Sequence, residues 1–170
     1  NSIAILVGDL LLARASILST DLGIEAITMQ ANTFERLCIG QLNETVGVEG
    51  DEDPIAHYLQ VLADKTGSLI AASAKLGVMI GNASERFLEP LSEFGEKVGV
   101  AFQLVDDVID ISAAGPSGKT PGTDLRAGVP TLPVLLLRKL AKTDAAAAAL
   151  IAEIDGDLSS DERLAEVVEK

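Results

Sequence analysis

The chain has 170 residues, 48% of them apolar, with 26 acidic against 13 basic side chains and a formal net charge of −13. That length supports one domain with a sizeable core, and the single Cys38 excludes an internal disulfide, as fits a reducing, cytoplasmic setting. The charge argues against nucleic acid as a partner, but a divalent cation held between carboxylates and phosphate would reverse the local sign and admit phosphate ligands.

Taken in chain order, almost everything reads as helix. Residues 1 to about 19 are apolar nearly all round, which predicts a helix buried in a bundle. No uninterrupted apolar run reaches the roughly 18 residues of a membrane span, and the first residues lack the pattern of a secretory signal. A second helix is expected over about 24–45. Then "GVEGDEDP" reads as a loop, with Asp53 as cap and Pro54 at the first helical position. His57, the lone histidine, falls on the following helix as a surface residue, and one His with one Cys does not make a zinc site. This helix runs over 54–80, and Lys65-Thr66-Gly67 interrupts it. The glycine favours a bend that turns a carbonyl inward; alternatively Lys65 simply snorkels to water. Ser84 opens a helix carried to about 112. Residues 113–129 are rich in Gly and Pro and read as a loop, 130–154 as an alanine-rich helix, and "SSDE" near 159 as a capping-box start of a last short one. The class is all-α.

The stretch "FQLVDDVIDI" carries the chemistry. At about 100° per residue, Gln103, Asp106, Asp107 and Asp110 share a narrow sector, and Val98, Phe102, Val105, Val108 and Ile109 lie opposite. One reading is a solvated acidic stripe. The other is a metal site facing a cavity. Carboxylates within about 6 Å repel by roughly 3 kcal/mol per pair at an effective dielectric near 20, and a bound cation relieves that. Oxygen-only ligands suit Mg²⁺, which takes one or two carboxylates and completes its shell with water and phosphate. The adjoining Gly118-Lys119-Thr120 is not a nucleotide-binding phosphate loop. Such a loop needs a glycine five residues before Gly118 and a strand ahead of it, whereas that position is Ala113 and the preceding segment reads as helix. What remains is a loop lysine, solvated or poised over a phosphate.

Five stretches in order, "AILVGDLLLARA", "CIGQLNE", "YLQVLADKTGSLIAAS", "FGEKVGVAFQLVDDVIDI" and "GKTPGTDLRAGVPTLPVLLL", resemble the trans-polyprenyl diphosphate synthase family over residues 1–140. The resemblance implies an isoprenoid synthase-like helical bundle around a central cavity, commonly homodimeric, and makes 1–170 part of one such domain. It implies Mg²⁺-dependent head-to-tail condensation of isopentenyl diphosphate with an allylic diphosphate. Asp106, Asp107 and Asp110 correspond to the second of the family's two aspartate-rich motifs and would hold the metal. Lys65 and Lys119 resemble the lysines that contact the diphosphate. Thr66 and Gln103 resemble the groups whose oxygens face the allylic cation. Gln41 and Asp124 match motif positions without a firm role, and Asp9 reads as structural.

The pattern is incomplete. The first aspartate-rich motif, the arginine pair after it and the N-terminal basic residues are missing, so the sequence is expected to be an internal part and not competent for catalysis alone. Val129 stands where the family often has lysine. A non-catalytic partner subunit and a terpene cyclase of the same fold are the alternatives. The "DDVID", "KT" and "GK" stretches weigh against the first, and the scarcity of aromatic residues against the second.

Overall fold

The computed structural model describes residues 1–112 and 121–170. Among these residues there is no strand, in agreement with the all-α expectation. The helices are α1 (Ser2–Thr20), α2 (Ile24–Val46), α3 (Pro54–Leu62), α4 (Ser68–Ile80), α5 (Leu88–Asp110), α6 (Thr123–Ala127), α7 (Leu132–Leu140), α8 (Ala145–Ile154) and α9 (Asp161–Val168). A π-helical turn, Ala63–Gly67, joins α3 to α4, and a 3₁₀ turn, Glu85–Phe87, leads into α5.

Local chemistry accounts for most boundaries. Asp53 accepts from the backbone N–H groups of Ile55 and Ala56 at 2.8 and 3.0 Å, satisfying donors that a helix start leaves unpaired. Asp144 does the same for Ala147 and Ser160 for Arg163. The Asp144 cap also marks where the single helix expected over 130–154 divides into α7 and α8. The segment expected as loop over 113–129 holds the short α6, entered and left through Gly122 and Gly128 at φ +77° and +71°. That left-handed backbone is open to glycine at little steric cost.

The chain resolves into two compact units, one of residues 1–46 with 61–100, the other of 47–60 with 101–170. In the first unit α2 packs against α1, α4 and the π turn, around Ala26, Val61, Leu62, Ala71 and Val78. Close approach there depends on missing side chains. A Cβ on Gly99 would lie 2.6 Å from the Gly67 Cα, one on Gly95 2.9 Å from the Ala71 Cα, and one on Gly40 2.8 Å from the Asp64 Cβ. The π turn is thus held between α2 and α5 with glycine on each side of it.

The second unit is cored by Leu125, Val134, Leu158, Leu164 and Val167, with Ile111, Leu150, Ile151 and Ile154 packed against them. Gly122 is tight for the same reason as Gly99. A Cβ there would meet the side chains of Val168 and Leu164 at 2.7 and 2.9 Å.

Helix α1 departs from expectation. It is not buried. Ser19 is its one buried residue, and Ile3, Leu6, Leu10 and Leu18 are all more than half exposed. Its all-round apolarity correctly asks for cover on every side, but its packing in this structure is against α2. By length and composition α1 is also long and apolar enough to cross a membrane, with a mean hydropathy of 1.7. Asp9 and Arg14 break the apolar run within it.

Candidate active site

The candidate residues fall into two groups, one in each unit. In the first, the π turn presents Lys65 and Thr66. A π turn closes its hydrogen bonds one residue later than an α-helix, and such insertions recur at functional positions. The bend expected at Lys65-Thr66-Gly67 is therefore realised as this insertion. Lys65 does not snorkel to open water. Its Nζ donates to Glu44 Oε2 at 2.7 Å, with both side chains about 30% exposed. Gln41 Nε2 donates to the same oxygen at 2.9 Å. Gln41 and Glu44, three apart on α2, share a face, so Glu44 gathers two of the expected site residues. Glu44 itself was not anticipated, although it lies within the "CIGQLNE" stretch.

In the second group, the acidic side of α5 faces inward. Asp107 and Asp110 are 5% and 8% exposed, whereas Phe102, Val105 and Val108 are at least half exposed. A solvated acidic stripe would show the reverse, so that reading is set aside. Among the described residues, each buried carboxylate is held by neutral donors. Asp107 accepts from the hydroxyl of Tyr58 and, at 3.0 Å, from Gln103 Nε2. That bond turns the amide oxygen of Gln103 away from Asp107. Asp110 accepts from the backbone N–H of Asp124 at 2.9 Å, and its carbonyl accepts from the N–H of Gly122 at 2.6 Å. The end of α5 therefore anchors the start of α6. Asp106 is half-buried beside them.

Tyr58 was not anticipated either. Burial, then its hydrogen bond to the Asp107 carboxylate, pushes the phenol well above its ordinary value, because ionising it would place a second anion against the first. Its one sequence signal is being the single tyrosine of the chain, seven residues before Lys65. His57, next to it, is not a solvated surface residue. Its side chain is 13% exposed and its Nδ1 lies 2.9 Å from Glu52 Oε2. Lys119 lies outside the described residues.

The donor set of the second group is carboxylate oxygen throughout, which fits a hard divalent cation and disfavours a soft one. It does not form a ready cage. Among the described residues no three His, Cys, Asp or Glu side chains are grouped to hold a metal ion. The fit is to a cation taken through one or two carboxylates, its remaining positions filled by other oxygens. Tyrosine, glutamine and peptide N–H donors fix Asp107 and Asp110 in place and bring no positive charge of their own. Lys65, by contrast, sits on a carboxylate that an incoming phosphate can replace.

A sequence model of the Polyprenyl synthetase family matches residues 1–170. The chain belongs to the polyprenyl synthetase family. Among polyprenyl synthetases, it is 46% identical to nonaprenyl diphosphate synthase of Mycobacterium tuberculosis over 169 residues, covering 99% of this chain and 50% of that protein. Its fold superposes on a crystal structure of geranylgeranyl pyrophosphate synthase from Corynebacterium glutamicum, complexed with calcium and isoprenyl diphosphate. The TM-score is 0.84 at 46% identity, over 99% of this chain and 52% of that one. A decaprenyl diphosphate synthase from Rhodobacter capsulatus gives a TM-score of 0.77 at 29% identity, over 99% and 53% respectively. The chain thus spans about half the length of the polyprenyl synthetases it matches.

Proposed function

We propose that this chain forms part of a polyprenyl diphosphate synthase, which joins isopentenyl diphosphate head-to-tail to an allylic diphosphate with Mg²⁺ as cofactor. The observation that carries the reading is the inward acidic face of α5, where Asp107 and Asp110 are buried among neutral donors. Asp106, Asp107 and Asp110 are the residues that would hold Mg²⁺. When bound, the ion neutralises charge developing on a departing pyrophosphate.

The chain's own residues supply the rest. Lys65 exchanges Glu44 for the diphosphate and stabilises the leaving group, a task that Lys119 shares in this reading; such preorganised charge is the main catalytic term in this chemistry. Thr66 and the oxygen of Gln103 turn their dipoles toward the allylic cation. The chain holds one Tyr, four Phe and no Trp, so oxygen dipoles carry more of this task than aromatic faces. Apolar surroundings keep water from the cation until it has alkylated the isopentenyl double bond and a proton is lost. Gln41 serves as a partner of Glu44, and Asp124 as the residue whose backbone orients Asp110. We place the whole protein in the cytoplasm as a homodimer. The apolar stripe of Phe94, Val98, Val105 and Ile109 on α5, each at least 40% exposed, is a surface that such an assembly would cover.

The test is incorporation of labelled isopentenyl diphosphate onto farnesyl diphosphate by the full-length protein that carries this chain, with and without Mg²⁺. Metal-dependent formation of a longer prenyl product is expected. A folded full-length protein that incorporates nothing across several allylic primers would sink the synthase reading and favour a non-catalytic partner subunit.

A further inference from the structure

The strongest unassigned cluster in the first unit is built on Arg36, the one cation in the middle of α2. Its Nε donates to Asp64 Oδ1 at 2.5 Å, and its Nη1 donates to Glu96 Oε2. One guanidinium therefore ties α2 to the π turn and to α5. Asp64 is 5% exposed and directly precedes Lys65. Glu96 packs on the other side of the turn, where a Cβ on Gly67 would lie 3.0 Å from the Glu96 Cγ.

The neighbouring glycines explain why such a tie is needed. Gly40, Gly67, Gly95 and Gly99 let three segments approach closely, but a glycine surface is smooth. It has no side chain to interlock, so it fixes separation without fixing register. A π turn is also a locally unfavourable conformation that persists only when its surroundings over-determine it. The planar fork of an arginine, donating in two fixed directions to two carboxylates, supplies a direction that an ammonium cannot.

We propose that Arg36 is a positioning residue for the prenyl-transfer reaction: by bridging Asp64 and Glu96 it sets the π turn and so aims Lys65 and Thr66 at the allylic diphosphate. The proposal rests on Lys65 as a diphosphate contact. Arg36 touches no reacting atom. It acts through Asp64, one peptide unit from Lys65, and its influence is confined to the substrate that Lys65 binds.

The experiment compares Arg36→Met, Lys65→Ala and the double variant in the full-length protein, with KM measured separately for the allylic diphosphate and for isopentenyl diphosphate. Small displacements of a positioned group cost up to about 100-fold. Arg36→Met is therefore expected to lower kcat/KM for the allylic substrate about 10- to 100-fold and to raise its KM, with KM for isopentenyl diphosphate within about twofold. The double variant should be no slower than Lys65→Ala. A merely structural role would reduce the active fraction and leave both KM values unchanged, and that result overturns the proposal. So does a double variant whose losses multiply, since Arg36 would then act independently of Lys65. If Lys65→Ala is itself silent, the assignment of Lys65 falls and the positioning role falls with it, a failure distinguishable from the first two. Should Arg36→Met fail to fold, Asp64→Asn keeps shape and an acceptor while removing the charge, and it is judged by the same two KM values.

Discussion

The π turn and the end of α5 hold their charged side chains in opposite ways. At the turn, charge meets charge: Lys65 rests on Glu44 and Arg36 on Asp64 and Glu96. At the end of α5, Asp107 and Asp110 meet a phenol, an amide and a peptide N–H. In the proposed synthase reading, the difference separates what must let go from what must stay. A lysine neutralised by a surface-accessible carboxylate is released when a better anion arrives. A carboxylate fixed by uncharged donors is oriented without, among the described residues, a cation to hold it.

That contrast can be broken most severely at the neutral-donor end. Asp107→Ala removes a carboxylate that the synthase reading uses for the metal, and prenyl transfer should fall by about 1,000-fold, the upper range for deleting one electrostatic contact, in a steady-state assay at saturating Mg²⁺. Tyr58→Phe sharpens the comparison by removing a donor without touching the carboxylate. Loss of an orienting partner of a metal ligand typically costs 10–100-fold, so activity should drop by about tenfold and the Mg²⁺ concentration for half-activity should rise. The same phenol predicts a pH effect on stability. Its folded value lies above its ordinary value of 10.0, so its contribution is complete below about pH 10. It is lost as pH rises from there through the folded value, because the unfolded chain sheds the proton first. Alkaline unfolding should therefore be less steep in Tyr58→Phe than in the parent protein.

Smaller effects probe the scaffold of each region. Gly99→Ala puts a methyl group 2.6 Å from the Gly67 Cα, and overpacking of that kind costs typically 1–3 kcal/mol, read as a lowered denaturant midpoint. The cost should come with a changed KM for the allylic diphosphate, since the displaced segment carries Lys65. Asp144→Ala removes the cap of α8, remote in sequence from both groups. It should cost about 1 kcal/mol and leave kinetic constants unchanged.

The elements that sequence made legible were those governed by local chemistry. Asp53-Pro54 and Ser160 announce helix starts within a few residues of the bonds they make, and the narrow polar sector of "QLVDDVID" points to a buried face because it is too narrow for a solvated one. The exposure of helix α1 is not legible for a related reason: periodicity reports that a helix wants cover, not which segment provides it. Tyr58, Glu44 and Arg36 escaped because their roles depend on partners 49, 21 and 28 residues away in sequence. The spacing Gly95–Gly99 was a readable sign of close helix contact, though not of what it contacts.

The π turn also acts as a one-residue offset in the reading frame of a helix. Upstream and downstream of Ala63–Gly67 the chain is α-helical, and the insertion rotates everything after it by about 100° relative to an uninterrupted helix. Deleting one residue from the turn would let α3 and α4 fuse into a single regular rod. Ala71 and Val78, now in the core, would swing off the face they bury. A shorter protein would result with every remaining side chain intact, and its two halves would be phased for different partners.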